Sequence, residues 1–417
     1  MPQYYIWTIG CQMNKAESER LASLFEQLGY QPTANTEEAG LIVLNSCVVR
    51  QHAEERVINK IGALRTLKKS HPSLVLAVTG CLVNSDISKL KRRFPHVDHF
   101  FKPGDYPQWL GNTKLSPVLP QPLSPSTYVP IIQGCNNFCS YCIVPYRRGR
   151  EKSRPVAEII NEVKELAQRG VKEVILLGQN VDSYGNDLPD KPDLARLLYE
   201  LNSIDGITRI RFLTNHPKDM SDRLIEAIAR LDKVCQQINL PVQSGDDEIL
   251  KAMGRHYTSG EYRQLVSRLR SRVPEIALST DVIVGFPGES QEQFQATFDL
   301  LRELRFDNVH VAAYSPRPET IAAREYEDNI PPEVKKERLN IIEQLQEKIA
   351  TEINSQLLGK TVEVLVEGRG KGKWHGRSRS GKLVFLSDNS ELLGQTVKVK
   401  VEKTSPWALQ GRLDNSS

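Results

Sequence analysis

The sequence predicts an α/β protein of three parts, and three observations lead to this fold class. Apolar, strand-like segments alternate with amphipathic helical patterns as far as residue 356, the chain beyond that point alternates polar and apolar residues at period two, and prolines crowd the stretch between the first two parts. A chain of 417 residues with 39% hydrophobic content is long enough for about three packed domains. We expect domains at 1–116, 128–356 and 357–417, and a Pro-rich linker at 117–127.

The first domain is expected to be an open parallel sheet covered by helices. Three apolar runs, at 4–9, 41–44 and 74–79, are each followed by a helical pattern. Repeated strand-helix units of this kind build parallel sheets.

The second domain is predicted to be a partial (β/α)6 barrel. Six strand candidates alternate with helices, so the strands would form the inner wall and the helices would pack outside. The C-terminal strand ends carry the chemistry in such a fold. A charged helix at 332–356 closes the domain. The strand candidates are 128–132, 171–177, 208–213, 235–240, 277–284 and 308–315.

The third domain is predicted to be a small antiparallel, OB-like β-barrel, and it carries the positive charge. Residues 360–417 hold eleven Lys and Arg against six Asp and Glu, although the whole chain has a net charge of only +4. The segment 368–382 is predicted to be a basic loop. A charge run is also typical of a solvated face, but a basic loop with an aromatic residue on a β-barrel favours RNA binding. Trp374 either stacks on an exposed base or caps the barrel. The candidate RNA contacts are Lys371, Lys373, Trp374, Arg377 and Arg379.

The chain also lacks the marks of a membrane or disulfide-stapled protein. No run approaches the ~18 consecutive apolar residues of a membrane helix, and the first residues do not form a signal peptide. Seven cysteines are too few for a disulfide scaffold in so long a chain. We therefore expect a cytoplasmic protein with no membrane contact, whose clustered cysteines bind metal or carry redox chemistry.

Three cysteines follow the first barrel strand at C-x3-C-x2-C spacing. Cys135, Cys139 and Cys142 can hold three irons of a [4Fe-4S] cluster and leave the fourth iron open. Zinc is the competing interpretation, but structural zinc takes four ligands, and the nearest downstream histidine is His216. The spacing therefore favours a cluster.

Cys11, Cys47 and Cys81 each lie just beyond a predicted strand of the first domain. Because the C-terminal strand edges of a parallel sheet form one crevice, these three residues are expected to converge. Buried structural cysteines are the alternative, but the surrounding Gly, Asn and Gln residues favour a second cluster with three protein ligands. Cys235 has no cysteine neighbour and is interpreted as a core strand residue.

These features together resemble the methylthiotransferase family of radical S-adenosylmethionine (SAM) enzymes over essentially the whole chain. GCQMN around Cys11, NSCVVRQHAEERV around Cys47, GCNNFCSYCIVPYRRGREKSRP and LPVQSGDDEILKAMGRHYT are similar to the MiaB branch, which makes 2-methylthio-N6-isopentenyladenosine in tRNA. GCLVN at Cys81 departs from that branch, where a small residue or Met and then Ala-Gln usually follow the cysteine. The tail resembles a TRAM domain, an RNA-binding module.

The resemblance implies a function, cofactors and partners. SAM would serve both as methyl donor and as source of a 5′-deoxyadenosyl radical, with two [4Fe-4S] clusters as cofactors. The substrate would be C2 of the isopentenyladenosine at position 37 in a tRNA anticodon stem-loop, with a flavodoxin- or ferredoxin-like electron donor and an unknown sulfur donor. We expect a monomer. Alternatives are a methylthiotransferase for threonylcarbamoyladenosine or a ribosomal protein residue, and a non-catalytic RNA-binding protein with structural metal sites.

Further polar and basic residues are candidates for SAM or RNA contacts. Tyr141 either lies against the SAM adenine, as the resemblance implies, or packs in the loop. A basic group after the cluster loop would contact the SAM carboxylate or RNA phosphates, or would be solvated. Its members are Arg147, Arg148, Arg150, Lys152 and Arg154, of which the first three are assigned to RNA. The other candidate SAM contacts follow or end strands: Gln179, Asn180, Gln243, Ser244, Thr280, Asp281, Gly285 and Glu289.

Overall fold

The computed structural model describes residues 1–49, 51–83, 86–103, 105, 107–110, 119–120 and 124–414. Residues 117–118 and 121–123 of the predicted linker lie outside the described residues, as do residues 116 and 415–417 at the predicted domain ends. None of the described helices combines the length and apolarity needed to cross a membrane.

The N-terminal part is a parallel five-stranded sheet flanked by helices, which we call the sheet domain. The order across the sheet is β2-β1-β3-β4-β5 in the numbering below. The central strand is buried along its whole length, as expected when helices cover both faces of a parallel sheet. The three predicted strand-helix units are confirmed. The elements are β1 (Gln3–Thr8), α1 (Gln12–Gln27), β2 (Gln31–Pro32), β3 (Leu41–Ser46), α2 (Gln51–Ser70), β4 (Val75–Gly80), α3 (Ile87–Arg93) and β5 (His99–Phe100).

The middle part is a six-stranded open barrel, and all six predicted strands are present. Its main parallel strands are β6, β9 and β10 in one sheet and β11, β12 and β13 in another, joined by a bridge between Ile210 and Val234. The elements are β6 (Ser126–Pro130), β7 (Ile132–Gln133), α4 (Val144–Arg148), β8 (Lys152–Ser153), α5 (Val156–Gln168), β9 (Glu173–Leu177), α6 (Leu194–Asn202), β10 (Arg209–Phe212), α7 (Asp222–Arg230), β11 (Gln237–Asn239), α8 (Asp247–Ala252), α9 (Ser259–Arg272), β12 (Ala277–Val284), α10 (Gln291–Leu304), β13 (Asn308–Ala313), α11 (Ile321–Glu325) and α12 (Pro332–Ser355).

Local sequence explains how the outer helices form. In α5, Ile159, Val163 and Leu166 recur at helical spacing and are fully buried against the barrel. Helix α10 begins with a capping box, in which Ser290 bonds the backbone of Gln293 and the Gln293 side chain bonds back. These signals fix where each helix starts and which face it turns inward.

The C-terminal part is a closed five-stranded barrel, which we call the small barrel. Its strands are β14 (Thr361–Gly370), β15 (Lys373–Ser378), β16 (Leu383–Leu386), β17 (Thr396–Thr404) and β18 (Leu409–Leu413), in the order β14-β15-β16-β18-β17. The prediction of a basic loop at 368–382 is wrong for most of that segment. Its centre is strand β15, because Lys373 and Arg377 point outward while Trp374 and Ser378 are buried at period two.

The sheet domain covers the C-terminal ends of the open-barrel strands, and the small barrel lies at their N-terminal ends. Met13 and Ala16 of α1 pack with Leu177, the last residue of β9. At the other end, Arg209, the first residue of β10, donates to the Arg377 carbonyl at 2.7 Å. Lys382 pairs with Asp307, which precedes β13, at 2.6 Å.

Candidate metal-cluster and RNA-contact sites

Cys11, Cys47 and Cys81 converge at one edge of the sheet domain, as predicted. They follow the adjacent parallel strands β1, β3 and β4, whose C-terminal ends lie side by side. A Cβ atom at Gly10 would lie 2.7 Å from the Cys47 Cβ, so these two loops approach as closely as a glycine permits. Gly80 fills the same role for the next loop, because its φ is +88° and an added Cβ would overlap the Ser46 carbonyl oxygen.

Asn14 ties the first cysteine loop to strand β3. It is fully buried, and its Nδ2 donates to Asn45 Oδ1 at 2.9 Å and to the Ser46 carbonyl at 3.1 Å. Its Oδ1 accepts from the Cys11 thiol at 3.3 Å. The motif GCQMN contains this asparagine, but its sequence alone does not predict the role.

Burial favours the protonated form of two thiols of this trio, those of Cys47 and Cys81, in the metal-free chain. Burial, and then the neighbouring Cys81, raise the pKa of Cys47 to about 11. Burial also raises the pKa of Cys81, although Arg148 lowers it. A metal centre that binds the sulfurs of Cys47 and Cys81 must therefore displace their protons.

The second trio lies on the loop after β7. Burial, and then the neighbouring Cys139, raise the pKa of Cys142 to about 12, and burial raises that of Cys135 to about 11. Ser140 anchors the loop, because its backbone N–H donates to Met253 O at 2.9 Å and its hydroxyl to Ala252 O at 2.7 Å. Among the residues that the structure describes, no group of three His, Cys, Asp or Glu side chains is close enough to hold a single metal ion.

Arg255 contacts Cys139 of the second trio, a role that was not predicted from the sequence. Its guanidinium is 6% exposed, and Nη1 donates to Cys139 Sγ at 3.4 Å. Nη2 donates to the Pro241 carbonyl at 2.9 Å, and Nε donates to the Tyr257 hydroxyl at 2.9 Å. The local sequence MGRHYT gives no sign that this arginine is buried.

Arg148 joins the two trios and corrects the prediction that it contacts RNA. It ends α4, six residues after Cys142, and its side chain is buried beneath the sheet domain. Its Nε donates to Cys81 Sγ at 3.3 Å, and its Nη1 pairs with Glu17 at 2.6 Å. Ile143 of the same segment packs in the sheet-domain core. A guanidinium enclosed in this way is not available to a phosphate.

The other basic residues after the cluster loop differ in their exposure. Arg147 is mostly buried and lies 3.5 Å from Glu319. Arg150 is exposed and lies over the Phe138 ring at 4.3 Å. Arg150 is therefore the most accessible of the three predicted RNA contacts in this segment.

The predicted SAM contacts around β9 are held by hydrogen bonds within the protein. Gln179 accepts from the Gly134 backbone N–H at 2.6 Å and so supports the cysteine loop. Asn180 is 2% exposed and donates to Asp219 at 2.7 Å, whereas its Oδ1 has no partner. Tyr141 packs in a cluster with Phe286 among its members, and burial raises the pKa of its hydroxyl.

The predicted SAM contacts on β11 and β12 are likewise engaged within the protein. Gln243 has a φ of +75°, and its N–H donates to the Asp281 carbonyl at 2.9 Å. Ser244 and Thr280 are both fully buried, and Thr280 donates to the Leu240 carbonyl at 2.9 Å.

Asp281 and Glu289 complete this group of predicted contacts. Asp281 accepts from Asn239 at 2.9 Å. Glu289 accepts from the Gly285 N–H at 2.7 Å and pairs with Arg338 at 2.6 Å, and its Oε1 has no partner. Gly285 thus supplies a backbone donor to the neighbouring glutamate.

The small barrel sorts the predicted RNA contacts into three groups. Lys371, Lys373 and Arg377 are exposed. The interpretation of Trp374 as an RNA contact is wrong, because the side chain is 3% exposed in the barrel core and its Nε1 donates to Ser390 O at 3.1 Å. Arg379 is partly buried at the interface with the open barrel, where its Nη2 donates to the Val234 carbonyl at 2.9 Å and to the Asp232 carbonyl at 2.6 Å, and its assignment to RNA stays a prediction.

Comparisons with known proteins match this arrangement along the whole chain. Three family models match: the uncharacterized protein family UPF0004 at residues 3–102, the radical SAM superfamily at 129–301 and the TRAM domain at 355–413. A Dehalococcoides mccartyi protein named tRNA-2-methylthio-N(6)-dimethylallyladenosine synthase is 55% identical over 417 residues, which cover 100% of this chain and 99% of that protein. The chain belongs to this synthase family. Membership confirms the predicted family and the prediction of a radical SAM enzyme.

Other members of the synthase family and one solved structure agree. A Chloroflexus aurantiacus protein of the same name is 49% identical over 433 residues, covering 99% of this chain and 92% of that protein. The solved radical SAM methyltransferase TsrM from Kitasatospora setae has a TM-score of 0.54 and 14% identity, and the match covers 90% of this chain and 81% of that one. This last likeness shows the fold alone, and the predicted α/β fold class is confirmed.

Proposed function

We propose that this protein methylthiolates C2 of N6-dimethylallyladenosine at position 37 of tRNA, next to the anticodon, with SAM as both methyl donor and radical source. Relatives that carry the name of this synthase are 44–55% identical over nearly their whole length. The observation on this chain that carries the proposal is the bond from Arg148 to Cys81 of the first trio, because Arg148 lies only six residues after Cys142 of the second trio and so links the two sets of cysteines.

The two trios fit [4Fe-4S] clusters. Each supplies three thiols, two of which are buried. An arginine donates to one sulfur of each trio and offsets the negative charge of bound thiolates. When bound, the clusters and SAM supply the electron, the methyl group and the radical that removes the C2 hydrogen. The proposed ligands are Cys11, Cys47 and Cys81 for the N-terminal cluster, and Cys135, Cys139 and Cys142 for the cluster that binds SAM.

The contribution of the chain itself is to enclose and orient the reactants. The sheet domain closes over the C-terminal strand ends through the Arg317–Glu54 ion pair and a bond from Ser315 to Gln51 at 3.2 Å. We propose that this closure limits the access of water, which would protect reactive species from side reactions. A general base would not suffice, because an aromatic C–H has no useful acidity.

Polar residues at the strand ends are proposed to position SAM. Asn180 Oδ1 and Glu289 Oε1 are buried oxygens without a partner among the described residues, and such atoms are normally satisfied by a donor group. Tyr141 lies beside Arg255 and the second trio, where an adenine ring would be close to the sulfurs. Gln179 is proposed to act through Gly134, as a support of the loop.

The anticodon stem-loop is proposed to contact exposed basic residues. Lys371, Lys373 and Arg377 on the small barrel and Arg150 near the cluster loop are exposed, and such side chains bind phosphates without reading sequence. We expect a cytoplasmic monomer that receives electrons from a flavodoxin- or ferredoxin-like donor and sulfur from a separate donor.

Mass spectrometry of tRNA nucleosides from cells with and without the gene tests the proposed function. We expect the methylthio group to disappear from dimethylallyladenosine alone and its unthiolated precursor to accumulate. If the methylthio form of threonylcarbamoyladenosine is lost instead, threonylcarbamoyladenosine is the substrate. If neither nucleoside changes, the tRNA substrate is wrong and a protein substrate takes its place.

Cysteine variants separate the proposed roles of the two trios. Cys139→Ala should abolish SAM cleavage, whereas Cys47→Ala should retain SAM cleavage and lose sulfur insertion. Cys235→Ala is the matched control, because that thiol is equally buried but lies apart from both trios in the strand pattern. Retained methylthiolation in the Cys47 variant would refute the N-terminal cluster.

A further inference from the structure

Among the residues that the structure describes, the arginine that bonds to a sulfur of the N-terminal cysteine trio comes from another part of the fold. Arg148 belongs to the segment that also contains Cys142, yet its side chain is 2% exposed and lies against Cys81 of the sheet domain. The two residues are 67 positions apart in sequence. The environment of the N-terminal trio is therefore completed by the open barrel.

The guanidinium of Arg148 is held in one orientation by a carboxylate. Nη1 and Nη2 donate to the two oxygens of Glu17 at 2.6 and 3.3 Å, a bidentate geometry that fixes the plane of the group. This orientation directs Nε to Cys81 Sγ at 3.3 Å. Glu17 lies on α1, whose N-cap is Cys11, so the arginine links Cys81 to the helix that begins after Cys11.

The position of Arg148 has an electrostatic consequence for a cluster held by this trio. Hydrogen bonds to the sulfurs and the local charge set the potential of an iron-sulfur cluster. A buried cation beside a ligand sulfur stabilises the more negative, reduced state, since nearby charges are poorly screened away from water. Glu17 opposes that effect, because it places a negative charge on the far side of the guanidinium.

We propose that Arg148 is a positioning residue for the N-terminal cluster, which orients Cys81 and raises the reduction potential of the cluster, and that Glu17 limits this increase. The inference rests on the proposed function, because it requires a cluster at Cys11, Cys47 and Cys81. It makes the properties of the N-terminal cluster depend on the segment that carries the SAM-binding cysteines.

Redox titration of the anaerobically reconstituted full-length protein, followed by electron paramagnetic resonance, tests the proposal. The signal absent from the Cys47→Ala variant belongs to the N-terminal cluster. Arg148→Met should lower its midpoint potential enough to change the reduced-to-oxidised ratio at least tenfold, which is about 59 mV for one electron. Glu17→Gln should shift the same midpoint in the opposite direction. Arg255→Met is the matched control and should leave this midpoint unchanged, because Arg255 contacts Cys139.

The outcomes separate this proposal from the proposed function. An unchanged midpoint in Arg148→Met, with about eight irons bound, overturns the proposal and leaves the function intact. Shifts of the same sign in the Arg148 and Glu17 variants also overturn it, since a general loosening of the interface predicts that result. About four irons in the unaltered protein would refute the N-terminal cluster itself. If Arg148→Met does not fold, Arg148→Gln provides the neutral variant, and an unchanged midpoint there overturns the proposal.

Discussion

Arg211 is expected to hold the small barrel against the open barrel, and replacing it tests that arrangement. The side chain is 4% exposed and donates to Glu173 at 2.8 Å and to Gln237 at 2.6 Å. It also donates to two carbonyls of the small barrel, that of Ser378 at 2.6 Å and that of Arg379 at 2.9 Å. One guanidinium therefore satisfies acceptors on both sides of the interface.

The expected cost of Arg211→Met follows from the groups that it leaves behind. Glu173 is fully buried and would keep only the Ser126 hydroxyl, at 2.9 Å, as a side-chain donor. Removing one partner of a buried ion pair typically costs about 3–5 kcal/mol. The two carbonyls can bind water once the small barrel detaches, so we expect a loss in the free energy of unfolding within that range.

Urea denaturation followed by circular dichroism measures this loss, and limited proteolysis at 356–360 reports detachment of the small barrel. The double variant Glu173→Leu with Arg211→Met should recover most of the stability, because no charge is left buried without a partner. Equal unfolding midpoints and equal proteolysis rates for Arg211→Met and the unaltered protein would refute the reasoning.

Three further predictions concern the cysteine loops and the small barrel. Gly80→Ala should reduce the bound iron from about eight to about four per chain, because the added Cβ overlaps Ser46. Gly288→Ala is the control and should retain the full iron content, because Gly288 is also at positive φ but an added Cβ there has no atom within 4 Å. Equal iron contents in the two variants would contradict this prediction. Trp374→Ala should lower the free energy of unfolding by about 3–5 kcal/mol, which denaturation measures. Lys373→Ala should leave the free energy of unfolding unchanged and reduce the salt slope of tRNA affinity by about one, which filter binding at several salt concentrations measures. The free energy of unfolding of the metal-free chain should fall as pH rises from about 9 towards about 11. Burial raises the pKa of Cys47 in the folded chain to about 11, whereas the unfolded thiol ionises near 9.0. If a Cys47→Ala variant shows the same fall in unfolding free energy with pH, this thiol is not its cause.

The sequence predicted the features that depend on local pattern. The strand-helix units and the position of each cysteine just after a strand follow from hydrophobic periodicity, and parallel pairing then places Cys11, Cys47 and Cys81 at one edge. Strand β15 was missed because basic residues occupy its outward positions, and the charge run obscured the alternation with Trp374 and Ser378.

The roles of two arginines could not be predicted because they depend on distant contacts. Arg255 and Cys139 are 116 positions apart, and Arg148 and Cys81 are 67 apart. Arg148 was grouped with Arg147 and Arg150 because all three are close in sequence to the cluster loop, yet only Arg150 is exposed. Positive charge alone does not distinguish a buried arginine that donates a hydrogen bond to a sulfur from a surface arginine that contacts RNA.

The position of the small barrel sets a minimum length for any RNA that contacts both this barrel and the cysteine loops. Its attachment through Arg209 and Lys382 lies at the N-terminal ends of the barrel strands, whereas the cysteine loops lie at the C-terminal ends. Strands of five residues, such as β9 (Glu173–Leu177), span about 17 Å at roughly 3.3 Å per residue. An RNA that touches both regions must therefore reach along at least that distance, which a free nucleoside does not.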